Sequence, residues 1–277
     1  RLDLAVWGDV RETLRCLTPQ VKEKTSRRFL DRMLSRHLAA LEGAVGAYTR
    51  NVERHRPIHP EYVASILDEE AADDAVFTVD TGMCNVWAAR YLTPNGRRRV
   101  IGSFVHGSMA NALPQAMGAQ FLARDRQVVS MSGDGGFAML MGDFLTLVQY
   151  ELPVKVVVFN NSSLAMVDLE MMVDGLPPHG TLYPPVDYAA IAGGAGAYGV
   201  RVEDPGEVRD ALREALAHPG PALVDVVTEP NALSMPPKIT MEQIAGFTMY
   251  AGRMVLSGGV GRMIQLARAN LRNIPRP

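Results

Sequence analysis

Cysteine is nearly absent from this 277-residue chain, which contains only Cys16 and Cys84. Two cysteines cannot build the disulfide framework of a small secreted domain, and such sparse use is typical of a reducing compartment. No apolar run approaches the roughly 20 residues that cross a bilayer. Basic residues are not in excess, since the formal net charge is −2. The composition therefore argues against a disulfide scaffold, a spanning helix and a nucleic-acid-binding chain.

The charge is unevenly distributed, because residues 232–277 carry +5 and the rest of the chain −7. This C-terminal segment contains six basic residues, Lys238, Arg253, Arg262, Arg268, Arg272 and Arg276, against Glu242. Its apolar residues recur at helical spacing on both sides of Gly258-Gly259: Ile244, Phe247, Ala251, Met254 and Val255, then Val260, Met263, Ile264, Ala267 and Leu271. We therefore predict two amphipathic helices. A basic amphipathic helix suits an anionic membrane surface, and docking on the body of the protein or on a neighbouring subunit is the alternative.

Between residues 60 and 231, short apolar runs alternate with helical patterns. The predicted strands are Val76–Val79, Val100-Ile101, Val128–Met131, Val154–Phe159 and Leu223–Val227. The predicted helices are Glu61–Glu70, Cys84–Tyr91, Ser108–Leu122, Phe137–Tyr150, Asp187–Ala192 and Pro205–Ala217. This alternation predicts an α/β fold with a doubly wound parallel sheet. A strand and a short helix are predicted over residues 1–18, and one or two amphipathic helices over 20–48.

Two polar groups follow two of the predicted strands. Gly133-Asp134-Gly135-Gly136 comes after the strand that begins at Val128, and Asn160-Asn161 comes after the next one. Because the carboxyl ends of parallel strands share one edge of a sheet, we expect Asp134 and Asn161 to lie close together. Their oxygens suit Mg²⁺. The glycines, and a helix that begins near Phe137, would bring backbone N–H groups to an anion.

These residues together predict a metal-assisted diphosphate site. The alternative is a plain strand-to-helix turn capped by an aspartate, which the Asn160-Asn161 pair at this spacing disfavours.

The sequence resembles the thiamine-diphosphate enzymes, whose cofactor motif matches Gly133-Asp134-Gly135 with Asn160-Asn161. The segments Val79–Tyr91 and Gly102–Ala116 are similar to the pyruvate dehydrogenase (quinone)/pyruvate oxidase branch. The resemblance implies that Mg²⁺ is held by Asp134, Asn161 and the backbone carbonyl of Ser163. The cofactor-binding residues that it implies are Gly107, Ser108, Met109, Asp134, Gly135, Gly136, Asn161, Ser162, Ser163, Leu164, Ala165, Met166 and Val167.

Single residues of this set carry further implications. Met109 matches the bulky apolar residue that wedges under the bent cofactor, and Met166 matches a residue that faces the active centre. Ala165 departs from the glycine of many relatives. The loop Asp80-Thr81-Gly82 is expected either to contact cofactor or substrate or to cap the next helix.

The resemblance also implies a domain organisation. Residues 1–35 correspond to a remnant of a central FAD-binding domain, 36–57 to a linker helix, 58–231 to the thiamine-diphosphate-binding domain and 232–277 to an amphipathic membrane-binding tail. The activating glutamate of the family is expected in an N-terminal domain that precedes these residues. No catalytic residue is therefore assigned here, and the isolated chain is expected to be inactive.

The implied activity is oxidative decarboxylation of pyruvate to acetate and CO₂, with thiamine diphosphate, Mg²⁺ and FAD as cofactors and a quinone as electron acceptor. The implied assembly is a homo-oligomer, a dimer of dimers, on the inner face of the bacterial plasma membrane. The alternatives are an acetolactate-synthase-like carboligase, a 2-oxoacid decarboxylase, or a non-catalytic cofactor-binding subunit.

Overall fold

In a computed structural model of the chain, the described residues are 3–52, 55–233 and 240–273. The chain divides into two compact units, residues 1–42 and 43–277. The domain boundaries predicted at residues 35, 57 and 231 stay predictions. Parts of the C-terminal segment lie outside the described residues, including Pro236, Pro237, Lys238 and Arg276.

The first unit contains two helices, α1 (Val10–Leu17) and α2 (Arg28–Ala40). The Asp9 carboxylate caps α1 by accepting the N–H of Glu12 at 3.0 Å. Neither helix contains a buried residue. Residues 3–9 do not form the strand that the sequence predicted, since the sheet of this fold is built elsewhere.

The second unit is built on a six-stranded sheet in which every neighbouring pair is parallel. The strands are β1 (Val76–Val79), β2 (Arg99–Gly102), β3 (Val128–Gly133), β4 (Lys155–Asn160), β5 (Tyr198–Val202) and β6 (Ala222–Val227). Their order in the sheet is β2-β1-β3-β4-β6-β5. Every residue of β4 is buried, as expected where helices cover both faces of a parallel sheet. The predicted α/β class with a parallel sheet is confirmed.

Helices cover both faces of this sheet and two more follow it. They are α3 (Pro60–Glu70), α4 (Met83–Tyr91), α5 (Ala112–Leu122), α6 (Asp134–Met139), α7 (Phe144–Gln149), α8 (Ala165–Val173), α9 (Tyr188–Gly194), α10 (Val208–Ala217), α11 (Met241–Leu256) and α12 (Val260–Asn270). Two large apolar clusters, one around Phe77 and Trp87 and one around Phe144 and Leu147, hold the helices to the strands.

The single helix predicted over Phe137–Tyr150 is wrong. Two short helices, α6 and α7, replace it, and a 3₁₀ turn at Met141–Asp143 separates them. Gly142 lies in that turn, and glycine disfavours a continuous helix by about 1 kcal/mol relative to alanine. The first of the two helices begins at Asp134 instead of near Phe137, so the aspartate itself belongs to the first helical turn.

Both C-terminal helices dock on the body of the second unit. Tyr250 of α11 and Leu266 of α12 form a buried cluster with Met172 of α8. The predicted apolar stripe of α12 is wrong in part, because Val260 and Ile264 are each 47% exposed. Its buried side consists of Leu266, Ala269 and Asn270.

The inward position of Asn270 has a polar cause. The side chain of Asn270 accepts the N–H of Leu233 at 2.9 Å and donates to the Asn231 carbonyl at 2.7 Å. A stripe defined by apolar residues alone cannot include a buried asparagine that is satisfied in this way. Among the described residues, no helix is long and apolar enough to cross a membrane.

Candidate active site

The carboxyl ends of three neighbouring strands carry the polar residues of the predicted site. Asp80 follows β1, Asp134 follows β3 and Asn161 follows β4. Since β1, β3 and β4 are adjacent and parallel, these ends lie side by side. This is the edge at which open α/β sheets bind ligands.

Asp134 joins the turns that follow β3 and β4. Asp134 is only 2% exposed. One carboxylate oxygen accepts the N–H of Gly135 at 2.8 Å, and the other accepts the N–H groups of Asn161 at 2.9 Å and Ser162 at 2.6 Å. Tyr188 donates its hydroxyl to the backbone carbonyl of Asp134 at 3.2 Å. The aspartate is therefore held in a fixed position at the sheet edge.

The two adjacent asparagines have different surroundings. Asn160, the last residue of β4, donates its side-chain N–H₂ to the Asp225 carboxylate and to the Val186 carbonyl, both at 2.8 Å. Asn161 lines the cleft at the sheet edge, and its side-chain oxygen accepts the N–H of Ser163 at 3.0 Å. The first asparagine is thus a structural residue, and the second is available to a ligand.

The β4 loop, residues 161–164, is paired with a second segment of the chain. Leu164 donates its N–H to the Thr181 carbonyl at 2.9 Å, and Tyr183 donates its N–H to the Ser162 carbonyl at 3.2 Å. Ser162 has φ of 55°, in the left-handed region that few residues other than glycine adopt. The segment 181–183 therefore fixes the course of the β4 loop from outside.

Two glycines of the motif permit close packing at this edge. A Cβ atom on Gly135 would lie 2.6 Å from Leu164 Cδ2, and one on Gly136 would lie 2.5 Å from Asp80 Oδ2. Asp80 cannot withdraw easily, because its other oxygen accepts the N–H of Ala112 at 2.8 Å. Side chains at either glycine would thus displace the walls of the cleft.

The segment before α5 reaches the same cleft. Gly107 has φ of 74°, and Ser108, which is exposed, donates its N–H to the Ser103 hydroxyl at 3.1 Å. Met109 lines the cleft. Its role as a wedge under a cofactor stays a prediction.

These elements enclose an open cleft with about 590 Å³ of empty space. Nine predicted cofactor-binding residues line it: Met109, Asp134, Gly135, Asn161, Ser163, Leu164, Ala165, Met166 and Val167. The other four, Gly107, Ser108, Gly136 and Ser162, are not among the lining residues. The predicted loop Asp80-Thr81-Gly82 contributes Thr81 and Gly82 to the lining, whereas Asp80 is buried beside it.

Several lining residues were not predicted from the sequence. They are Pro60, Met83, Cys84, Trp87, Phe159, Thr228, Glu229 and Ala232. Thr228 and Glu229 directly follow β6, the neighbour of β4. The rule that strand ends share an edge therefore applies to them as well.

Burial dominates the electrostatics of the cleft. It raises the pKa of Asp134, although the Tyr183 hydroxyl and the backbone N–H groups around the carboxylate oppose this change. It raises the pKa of Asp80 and, more strongly, that of the Cys84 thiol. The pKa of Tyr188 rises to about 12, first through burial and then through nearby Asp134. A buried carboxylate in such surroundings is stabilised by a bound cation.

The donor set fits a magnesium ion with a diphosphate. Asp134 and Asn161 line one cleft, and their carboxylate and amide oxygens are hard ligands of the kind that Mg²⁺ prefers. The Ser163 hydroxyl oxygen is buried there and has no hydrogen-bond partner in the part of the chain that the structure describes. Gly135 also presents backbone without a side chain to the cleft, where an anion can approach closely.

Comparisons with known proteins agree with this geometry. The family described as thiamine pyrophosphate enzyme, C-terminal TPP binding domain, matches residues 80–226. YdaP of Bacillus subtilis is 38% identical over 237 residues, which are 86% of this chain and 41% of YdaP. Pyruvate oxidase of Lactiplantibacillus plantarum is 29% identical over 82% of this chain and 38% of its own length.

A carboligase is similar as well. The acetolactate synthase large subunit of Parasynechococcus marenigrum is 35% identical over 61% of this chain and 28% of its own length. The chain thus spans less than half the length of each of these relatives.

Proposed function

Because the chain belongs to the thiamine pyrophosphate enzymes through their C-terminal TPP binding domain, we propose that its cleft holds the diphosphate of thiamine diphosphate through Mg²⁺. The metal ligands in this proposal are the side chains of Asp134 and Asn161 and the backbone carbonyl of Ser163. The observation that carries it is the convergence of these three residues on one cleft at the carboxyl edge of the sheet.

In this proposal the chain binds and orients, and the cofactor carries the chemistry. When bound, thiamine diphosphate supplies an electron sink for cleavage next to a carbonyl group. Gly135 and the β4 loop would line the diphosphate, and Asp134 fixes that loop through two backbone N–H groups. Met109, whose side chain lies close to Gly135, would support the cofactor. Apolar residues such as Trp87 and Phe159 make part of the cleft lining nonpolar.

We further propose that the chain is the C-terminal part of an enzyme that decarboxylates pyruvate oxidatively. The similarity to a pyruvate oxidase extends over 82% of the chain, whereas that to the acetolactate synthase large subunit of Parasynechococcus marenigrum extends over 61%. The broader coverage favours the oxidase branch over a carboligase, although the carboligase has the higher identity. FAD, a quinone acceptor, a homotetramer and attachment to the inner face of the plasma membrane belong to the same proposal and rest on the resemblance alone.

Attachment to a membrane through the C-terminal segment stays a prediction. Three of its arginines are engaged on the protein: Arg253 with the Gly175 carbonyl, Arg262 with Asp168, and Arg272 with backbone carbonyls of residues 47, 50 and 51. Arg268 is exposed, and Lys238 and Arg276 lie outside the described residues.

Calorimetric titration of thiamine diphosphate into the chain tests the site. We expect binding with Mg²⁺, at least about tenfold weaker binding after chelation, and a similar loss in Asp134→Ala, a loss of about 1.4 kcal/mol or more. Asp210→Ala is the control, because Asp210 is exposed on α10. Equal affinity with and without Mg²⁺, or in Asp134→Ala, would contradict the metal site.

The proposed oxidation of pyruvate is tested by co-expressing this chain with the N-terminal part of the proposed enzyme. Pyruvate-dependent reduction of a quinone-like dye supports the oxidase proposal, and acetolactate formation without dye reduction contradicts it.

A further inference from the structure

A buried carboxylate on α8 connects the β4 loop to the C-terminal helices. Asp168 is 5% exposed and lies in the first turn of α8, directly after the loop. One of its oxygens accepts the Thr181 hydroxyl at 2.7 Å, and the other accepts Nη2 of Arg262 from α12 at 2.7 Å. The side chain of Arg262 is 26% exposed, so both partners of this ion pair are largely shielded from water.

Thr181 transmits the connection to the loop. Its backbone carbonyl accepts the N–H of Leu164, and two residues later Tyr183 donates to the Ser162 carbonyl. Ser162 in turn donates to Asp134. A continuous series of hydrogen bonds therefore runs from Arg262 through Asp168 and the segment 181–183 to the candidate metal ligand.

The ion pair between Arg262 and Asp168 is costly to break. A carboxylate held this far from water is stable as an anion only when it is paired and hydrogen-bonded. Removing Arg262 leaves the Thr181 hydroxyl as the remaining donor to the Asp168 carboxylate among the described residues, and movement of this carboxylate toward water would relieve its unpaired charge. Such a movement pulls on Thr181 and loosens the pairing that fixes the β4 loop.

We propose that Arg262 and Asp168 are positioning residues that hold the β4 loop in its binding conformation, so that α12 supports the cofactor site. The inference rests on the proposed function only for its second readout, the affinity for thiamine diphosphate. Its first readout is hydrogen–deuterium exchange at Leu164 and Tyr183 in the cofactor-free chain.

The test compares four variants of the full chain with the wild type. In Arg262→Ala we expect exchange at Leu164 and Tyr183 to be at least about fivefold faster, and affinity for thiamine diphosphate with Mg²⁺ to be about tenfold weaker. Asp168→Asn in the Arg262→Ala background keeps an oxygen for Thr181 and removes the unpaired charge. Both readouts should then return to within about threefold of the wild type. Arg262→Lys, which keeps the charge but offers a single ammonium, should be intermediate.

Arg268→Ala is the matched control, since Arg268 lies on the same helix and is exposed. Equal exchange in Arg262→Ala and Arg268→Ala would overturn the proposal, as would a double variant as impaired as Arg262→Ala. If Arg262→Ala fails to fold, Arg262→Lys takes its place: faster exchange at Leu164 and Tyr183 than in Arg268→Ala supports the proposal, and equal exchange in these two variants overturns it. A wild-type chain that binds no thiamine diphosphate but shows the expected exchange pattern supports the positioning and contradicts the proposed function.

Discussion

The Oδ2 atom of Asp80 lies 2.5 Å from the position that a Cβ atom on Gly136 would occupy. This oxygen is buried and has no hydrogen-bond partner among the described residues. Its neighbour Oδ1 is fixed by the N–H of Ala112. Asp80 therefore packs the end of β1 against α6 and against the segment that follows Met109. Gly136 permits this close packing on α6 because it has no Cβ atom.

Gly136→Ala should disturb the cleft without touching a candidate metal ligand. The added methyl group must displace the buried Asp80 carboxylate, which is held by its hydrogen bond from Ala112. Overpacking of this kind costs about 1–3 kcal/mol in the free energy of unfolding. We expect a lower thermal midpoint and at least about tenfold weaker binding of thiamine diphosphate with Mg²⁺, measured by calorimetry. Gly142→Ala is the control, because nothing lies within 4 Å of its added Cβ atom. Unchanged affinity in Gly136→Ala would contradict this reading.

The two adjacent asparagines should separate stability from binding. Asn160→Ala deprives the buried Asp225 carboxylate of one donor, and we expect a loss of about 2 kcal/mol in the free energy of unfolding. Asn161→Ala loses one hydrogen bond to the Ser163 N–H, so its free energy of unfolding should stay within about 1 kcal/mol of the wild type, and it should lose most of its Mg²⁺-dependent affinity. Urea unfolding and calorimetry on the same preparations measure both effects. A large loss of stability in Asn161→Ala, with a loss of affinity only in Asn160→Ala, would contradict the structural role of Asn160 and the binding role of Asn161.

The strand-end rule explains how much of this site the sequence contains. Asp134 and Asn161 could be placed together because each follows an apolar run, and the ends of parallel strands share an edge. The position of Asp168 and Thr181 could not be predicted this way. The two lie 13 residues apart, and their contact depends on how the chain returns to the β4 loop after α8. The cofactor motif likewise does not indicate the role of Asp225, which accepts a hydrogen bond from Asn160 and lies more than 60 residues away in the sequence.

Docking of the C-terminal helices can be tested at one glycine. Gly246 of α11 packs on the carbonyl of Val173 so closely that an added Cβ atom would overlap it. Gly246→Ala should therefore cost about 1–3 kcal/mol in the free energy of unfolding. Gly252→Ala, on the same helix with no atom within 4 Å, should gain up to about 1 kcal/mol from helix propensity. Thermal unfolding measures both, and a Gly246→Ala variant as stable as Gly252→Ala would show that α11 is not docked.

Helical periodicity predicted both C-terminal helices but not which side of α12 faces the protein. Ile264 and Val260 were expected on the buried stripe, yet Asn270 lies inward because backbone groups of residues 231 and 233 satisfy its amide. Arg262 lies outside the apolar stripe and still contacts the protein, through Asp168. Charge and amide partners on distant segments decide this orientation, and they are not visible in the local pattern.

Lys155 should make stability depend on pH on the alkaline side. It is the one charged residue of β4, 4% exposed, and its ammonium donates to the carbonyls of His218 and Gly220. Burial lowers its pKa to about 8, whereas an unfolded lysine keeps its proton to about pH 10.4. Between these values the unfolded state binds more protons, so raising the pH favours the folded state through this group.

The free energy of unfolding of the wild type, measured with urea, should therefore rise relative to that of Lys155→Met between about pH 8 and 10. Below about pH 8 the difference between the two proteins should be constant, because both states of the wild type then carry the proton. Lys22→Met, at an exposed lysine, serves as the control for the loss of a positive charge. A constant difference for Lys155→Met would show that this lysine keeps an ordinary pKa in the fold.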